Sequence, residues 1–200
     1  MRKILLVLVL FFSASVLNAG QVKMMYRGTG GGGACADDCS GNKGDTYTDG
    51  SESLVSTEYY MSVNKIDLGA CDGSNGTLNL YLKDTNLGST ATVKFIVYDD
   101  DGTGGEPGTK LYESSSGTVL DDTAYKYYSE SIASAGCLTG VVWAGYICTL
   151  GGGGLHDQYK STGNGGARMV VNANFSAPAS WDEDGDTHSG NNRPFYISFP

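Results

Sequence analysis

The sequence predicts an all-β protein, an antiparallel jelly-roll β-sandwich of about eight strands. Three observations predict it. Apolar residues recur at every second position in short runs, turn clusters rich in Gly, Asp and Asn separate those runs, and no segment holds a 3.6-residue period over three turns. Glycine, 30 of 200 residues, is about twice its usual share, and 40% of the chain is apolar. That composition excludes a coiled coil, a helical bundle and a collagen, and is too apolar for a disordered chain.

The strands can be taken in order. Met61 and Val63, then Ile66 and Leu68, alternate with polar neighbours, with a phase slip at Asn64-Lys65 that predicts a bulge. Leu78, Leu80 and Leu82 alternate strictly with Asn79, Tyr81 and Lys83. Val93, Phe95 and Val97 point one way, and Lys94, Ile96 and Tyr98 the other. Further strands are predicted over 110–114, 125–132, 141–147 and 168–175, the last with Met169, Val171, Ala173 and Phe175 on one face. Phe195, Ile197 and Phe199 close the domain. Runs this short bury little alone and must pack as two facing sheets or a closed barrel.

Before the strands lie two other segments. Arg2 and Lys3 precede an unbroken apolar run from Ile4 to Phe12 and a small-residue end at Ala19, the pattern of a secretory signal peptide over residues 1–19. The run is too short to cross a ~30 Å hydrocarbon core. Residues 20–50, rich in Gly and Cys, read as an extended or loosely pinned arm, and 51–200 as the sandwich domain. The protein is therefore expected outside the cell or at its surface, with no membrane span in the mature chain. In an exported chain, Cys35, Cys39, Cys71, Cys137 and Cys148 point to disulfides. Cys35 and Cys39 are placed to close a small local loop, and two of the other three to bridge loops. Five is odd, so one thiol is left free or pairs with another chain. The formal net charge is −9, and the two leader residues are basic, so nucleic acid is excluded as a partner.

One stretch is familiar. Val93-Lys94-Phe95-Ile96-Val97-Tyr98-Asp99-Asp100, a glycine turn, and Gly105-Glu106-Pro107-Gly108-Thr109-Lys110-Leu111 resemble a jelly-roll module recurrent in secreted bacterial proteins. In that module a strand ends in Tyr-x-Asp, a Gly-x-Pro-Gly turn follows, and the next strand opens on Leu. Ile66-Asp67-Leu68, Val142-Trp143-Ala144 and Phe195–Phe199 match its other strands, so the likeness spans about 59–199. It implies a fold akin to carbohydrate-binding and accessory sandwiches. The turn has its own physics: Pro107 presets φ near −65°, and Gly108 is free to take the positive φ of a type II turn.

Glycan binding needs an exposed flat ring for a pyranose to stack on, flanked by amide or carboxylate groups. Trp181, in a loop, and Tyr159, in the polar loop after the glycine run, are the ring candidates. Trp143, in an apolar strand, reads as core. Asp182, Asp184 and Asp186 stand at alternate positions that converge readily on Ca²⁺, a cation taking six to eight oxygens. The run is no EF-hand, because Thr187 stands where Gly is wanted and Arg193 where a bidentate Glu is wanted. Asp99, Asp100 and Asp101 form a second acidic cluster, at the hairpin.

Catalysis has little to draw on. His156 and His188 are the only histidines and lie in no recognised motif, and the six glutamates show no paired spacing. The glycines 151–154 are followed by no Lys-Ser/Thr, so they form no phosphate loop. The expected function is a secreted, non-catalytic module gripping a glycan or other extracellular polymer through loop aromatics. The alternative is a structural subunit of an extracellular filament or coat, whose partners are copies of itself joined by edge strands or arm exchange.

Overall fold

The computed structural model describes residues 35–85, 90–161, 166–170, 175–181, 186–189 and 191–200. The leader, the first part of the arm, and Asp182 and Asp184 lie outside them. Among the described residues there is no α-helix, only a 3-10 turn at Ala133–Ala135, and no helix is long and apolar enough to cross a membrane. The strands are β1 Gly41–Gly44, β2 Ser51–Val55, β3 Tyr60–Gly73, β4 Thr77–Asp84, β5 Thr92–Asp99, β6 Lys110–Glu113 and β7 Thr118–Val119. After these come β8 Lys126–Ser131, β9 Leu138–Thr149, β10 Leu155–Tyr159, β11 Gly166–Val170, β12 Asp186–Ser189 and β13 Phe195–Phe199. Every pairing between them is antiparallel.

Two sheets result. A six-stranded sheet runs β1-β13-β4-β10-β2 with β8 also on β4, and a seven-stranded sheet runs β12-β11-β3-β9-β5-β6 with β7 also on β5. The main core lies between them. Leu78, Leu80, Leu82, Phe195 and Ile197 of the first sheet meet Ile66, Leu68, Val93, Phe95, Val97 and Val142 of the second, all at or below 1% exposure. Each set follows the two-residue period of its strand, so the alternation read in the sequence is the burial pattern of the sandwich.

The phase slip on β3 has another cause than a bulge. The ladder between β3 and β9 runs unbroken through Asn64↔Ala144 and Lys65↔Trp143, and its irregularity lies between Asp67 and Asp72. Met61 and Val63 are buried on the opposite side of the sheet from Ile66 and Leu68. There they pack with Ile96, Tyr98, Trp143, Ile147, Ala177 and Trp181 in a second apolar cluster. Residues 175–181 strap over that outer face. Tyr98 OH donates to Pro178 O at 2.9 Å, Lys110 N to Ala179 O at 2.8 Å, and Trp181 N to Gly108 O at 3.0 Å. Both faces of the seven-stranded sheet are thus covered at this end, and a strand buried on both faces loses its simple alternation.

Residues 35–50 belong to the compact unit, which begins at Cys35 rather than at 51. Within them β1 adds to β13 from Gly41↔Phe199 to Gly44↔Tyr196. The cysteines do not close the local loop: Cys35 is bonded to Cys137 and Cys39 to Cys71, while Cys148 is free and buried. Burial explains the odd thiol, since Cys148 points into the main core from β9.

The Pro-Gly hairpin joins β5 to β6, but Gly108 is not among the positive-φ glycines. Gly104 and Gly105, at φ 74° and 85°, make the turn instead. Glycine is needed at 108 for closeness, because a Cβ there would collide with the Asp101 carboxylate.

The six-stranded sheet forks. β8 occupies one edge of β4, and β13 and β10 follow each other along the other edge, with Phe195↔Leu80 and Leu82↔Asp157 nearest the junction. The two branches are tied again by an antiparallel bridge, Lys160 N to Asn192 O at 2.8 Å and Asn192 N to Lys160 O at 2.9 Å.

Candidate functional site

With the seven-stranded sheet strapped, the outer face of the six-stranded sheet is the surface on which to look for a site. Alternation decides which way its side chains point: the even residues of β4 enter the core, so Thr77, Asn79, Tyr81 and Lys83 face outward, with Asn79 covered by its neighbours to 6% exposure. Register then sets their neighbours, Ser129 beside Asn79 and Tyr127 beside Tyr81 on β8, and His156 beside Lys83 on β10. Three rows cross the sheet.

The first row is polar. Ser129 Oγ donates to Asn79 Oδ1 at 2.6 Å, and Asn79 Nδ2 donates to Ser198 Oγ at 3.2 Å.

The second row is aromatic and half-buried. Tyr81 stacks on Tyr125 at 5.2 Å between centroids with planes 20° apart, and touches Tyr127 at 4.8 Å. Tyr127 meets Tyr196 edge-on at 5.3 Å. Two hydroxyls are anchored, Tyr127 to Thr46 O at 3.0 Å and Tyr125 to Asp157 O at 3.2 Å. These bonds and the ring contacts hold the tyrosines in place, so a ligand stacking on them would order little that is not already ordered. Burial raises the Tyr127 phenol to about 12 and Tyr125 further, so these two stay neutral at physiological pH.

The third row is charged and internally compensated. Lys83 lies over the Tyr125 ring at 4.6 Å and pairs with Glu52 at 2.8 Å, while His156 Nδ1 is 3.4 Å from Glu52 Oε2. The hydrogen bond from Lys83 holds the Glu52 carboxyl below the usual range.

The residues singled out from sequence fall elsewhere. Trp181 is 6% exposed, its ring edge-on to Tyr98 at 5.4 Å, so it is a pillar of the second apolar cluster and offers no open face. Tyr159 ends β10, paired with Ser51, rather than standing in a loop; the glycine turn before it is only a β9–β10 connection. Trp143 is core, as expected, at 4% exposure, with Nε1 donating to Asp100 Oδ1 at 2.8 Å. Asp186 opens β12 opposite Met169. The hairpin acids have structural partners: Asp100 also pairs with Lys65 at 3.0 Å, and Asp101 accepts from Thr109 N at 2.6 Å.

Among the described residues, the one convergent group of metal-ligating types is Asp38, Cys39 and Cys71, whose sulfurs are joined to each other. The tyrosine row was missed because Tyr81, Tyr127 and Tyr196 are far apart in sequence. The signal that finds it is the polar phase of β4, where a tyrosine occupies a position that alternation sends outward. Comparison of the chain with known families, curated proteins and solved structures finds no match.

Proposed function

We propose that the chain is a secreted, non-catalytic β-sandwich that binds a neutral glycan on the outer face of its six-stranded sheet. The observation that carries this reading is the anchored row Tyr81, Tyr125, Tyr127 and Tyr196, bordered by the hydroxyls of Ser129 and Ser198. Aromatic surface takes the apolar side of a pyranose, and neighbouring hydroxyls take its ring of hydroxyls. The positive charges nearby are already paired with carboxylates, and the whole chain is acidic, which favours an uncharged polymer over a polyanion. The hairpin likeness to secreted jelly-roll modules leans the same way, and two disulfides point to an oxidising compartment.

The test is a glycan array followed by calorimetry, with Tyr81→Ala and Tyr127→Ala beside the parent. A ligand found on the array should lose about tenfold in affinity per ring, about 1.4 kcal/mol. Unchanged binding by both variants, or no polysaccharide bound at millimolar concentration, ends the reading. The same titration with and without EDTA addresses the calcium expectation at Asp182, Asp184 and Asp186.

One observation favours the second reading, a subunit that assembles through sheet edges. Leu54 on β2, which ends the six-stranded sheet, is 57% exposed, and an apolar side chain on an open edge invites pairing. Sedimentation of the purified protein decides: assembly lost on Leu54→Lys supports it, and a monomer at all concentrations removes it.

A further inference from the structure

The interior is apolar over most of its length, and a group of polar side chains gathers beneath the fork where β13 and β10 succeed each other along β4. Ser62 and Asn64 on β3 and Tyr146 on β9 face inward there from one sheet, and Asp157 and Arg193 from the other. Each is at most 1% exposed. Arg193 Nε donates to Asp157 Oδ2 at 2.5 Å, Tyr146 OH to the same oxygen at 2.9 Å, and Asn64 Nδ2 to Arg193 O at 2.5 Å. These bonds use only part of the centre's capacity. Arg193 Nη1 and Nη2, Asp157 Oδ1, Asn64 Oδ1 and Ser62 Oγ have no hydrogen-bond partner among the described residues.

Two nitrogens carrying N–H groups and three oxygens, all unpaired in one sealed region, are too costly to leave so when buried polar atoms are almost always satisfied. We propose that this centre is an internal water site, holding at least one ordered molecule between the Arg193 guanidinium and the oxygens of Asp157 and Asn64. Water accepts from the guanidinium and donates to the carboxylate and amide oxygens at once, which matches donors and acceptors lying together. An anion satisfies the nitrogens only, and it would add charge to an ion pair that is already neutral. Complete burial shuts out anything larger. The water would serve as a spacer between the two branches of the fork, beside the Lys160–Asn192 backbone bridge that already ties them.

Magnetic relaxation dispersion of water in solutions of the folded protein counts long-lived internal molecules. The parent should show at least one, and the apolar double variant Arg193→Met/Asp157→Leu should lose it while keeping a cooperative melt and native near-ultraviolet dichroism. Equal dispersion in parent and folded double variant overturns the proposal. Should the double variant not fold, a crystal structure of the parent decides alone. Density within hydrogen-bond distance of both an Arg193 Nη and Asp157 Oδ1 supports the site, and a protein side chain in that position refutes it. Melting in chloride against a chloride-free salt of equal ionic strength separates the remaining occupant: stabilisation by chloride overturns water in favour of an anion.

Discussion

At Gly145 the close approach of two strands leaves no room for a side chain, because a Cβ there would run into the Ser62 carbonyl of β3. The neighbour is backbone and part of a ladder, so it cannot turn aside. Gly145→Ala is expected to cost about 1–3 kcal/mol or more in chemical denaturation, whereas the same change at Gly136, whose Cβ meets nothing within 4 Å, strains only the local backbone. Cys148 makes a second residue-scale prediction. Burial pushes its thiol up to about 12, so a thiol reagent should find no reactive group in the native protein and one after unfolding without reductant. Fast labelling under native conditions would contradict the placement of this side chain. The pair Arg193–Asp157 gives a third. Removing one partner by Asp157→Ala strands a buried charge and should cost about 3–5 kcal/mol, with the apolar double variant less damaging than the two single losses combined.

Elements here are held by what crosses them. β1 has four residues and one neighbour strand, yet it stays because Cys39–Cys71 and Cys35–Cys137 fasten the chain just before it. Replacing Cys39 and Cys71 by alanine should cost about 2–5 kcal/mol and speed amide exchange in β1 well before the rest of the six-stranded sheet. Uniform exchange across that sheet would show that β1 needs no fastening. The strap at 175–181 is held differently. Burial alone would raise the Glu113 carboxyl, but hydrogen bonds from Lys110 and Lys94 more than offset this and hold it below its ordinary 4.5. Its contribution is therefore complete above that value and lost as the pH falls through the lower folded one. Ser176 Oγ donates to the same carboxylate at 3.3 Å and Lys110 Nζ donates to Ala177 O. Tryptophan fluorescence of Trp181 should thus report loosening of the strap in acid before the main core melts, and Glu113→Gln should remove that early phase.

Across the whole molecule the phenols act together. Burial raises the hydroxyls of Tyr47, Tyr60, Tyr98, Tyr125 and Tyr146, and takes Tyr112 to about 12. A group whose folded value lies above its unfolded one, here 10.0, lends stability below the unfolded value and withdraws it as the pH rises toward the folded one. Tyrosinate absorbance and the loss of sheet signal should therefore appear together above pH 10. Ionisation of all these phenols near their ordinary value, with the sheet intact, would refute the packing described. The same packing explains how far the chain could be read. Strict alternation at Leu78–Leu82 and Val93–Val97 was legible because those strands bury one apolar row between two sheets. β3 was misread as bulged because the 175–181 strap covers its outer face, and nothing near Met61 announces a cover more than a hundred residues away. β1, β2 and β10 were missed because they are short and mostly polar, with no run of alternating apolar residues, and only pairing makes them strands.

Local chemistry was enough to settle that this chain is all-β, which positions point inward on its central strands, and that Trp143 is core. Those properties follow from a period of two and from side-chain hydrophobicity, both of which each segment carries by itself. Cysteine pairing, the burial of Trp181, the forked sheet with its polar centre, and the gathering of four tyrosines on one face depend on register between distant strands. Register is a property of pairs, so it exists only once the chain has folded.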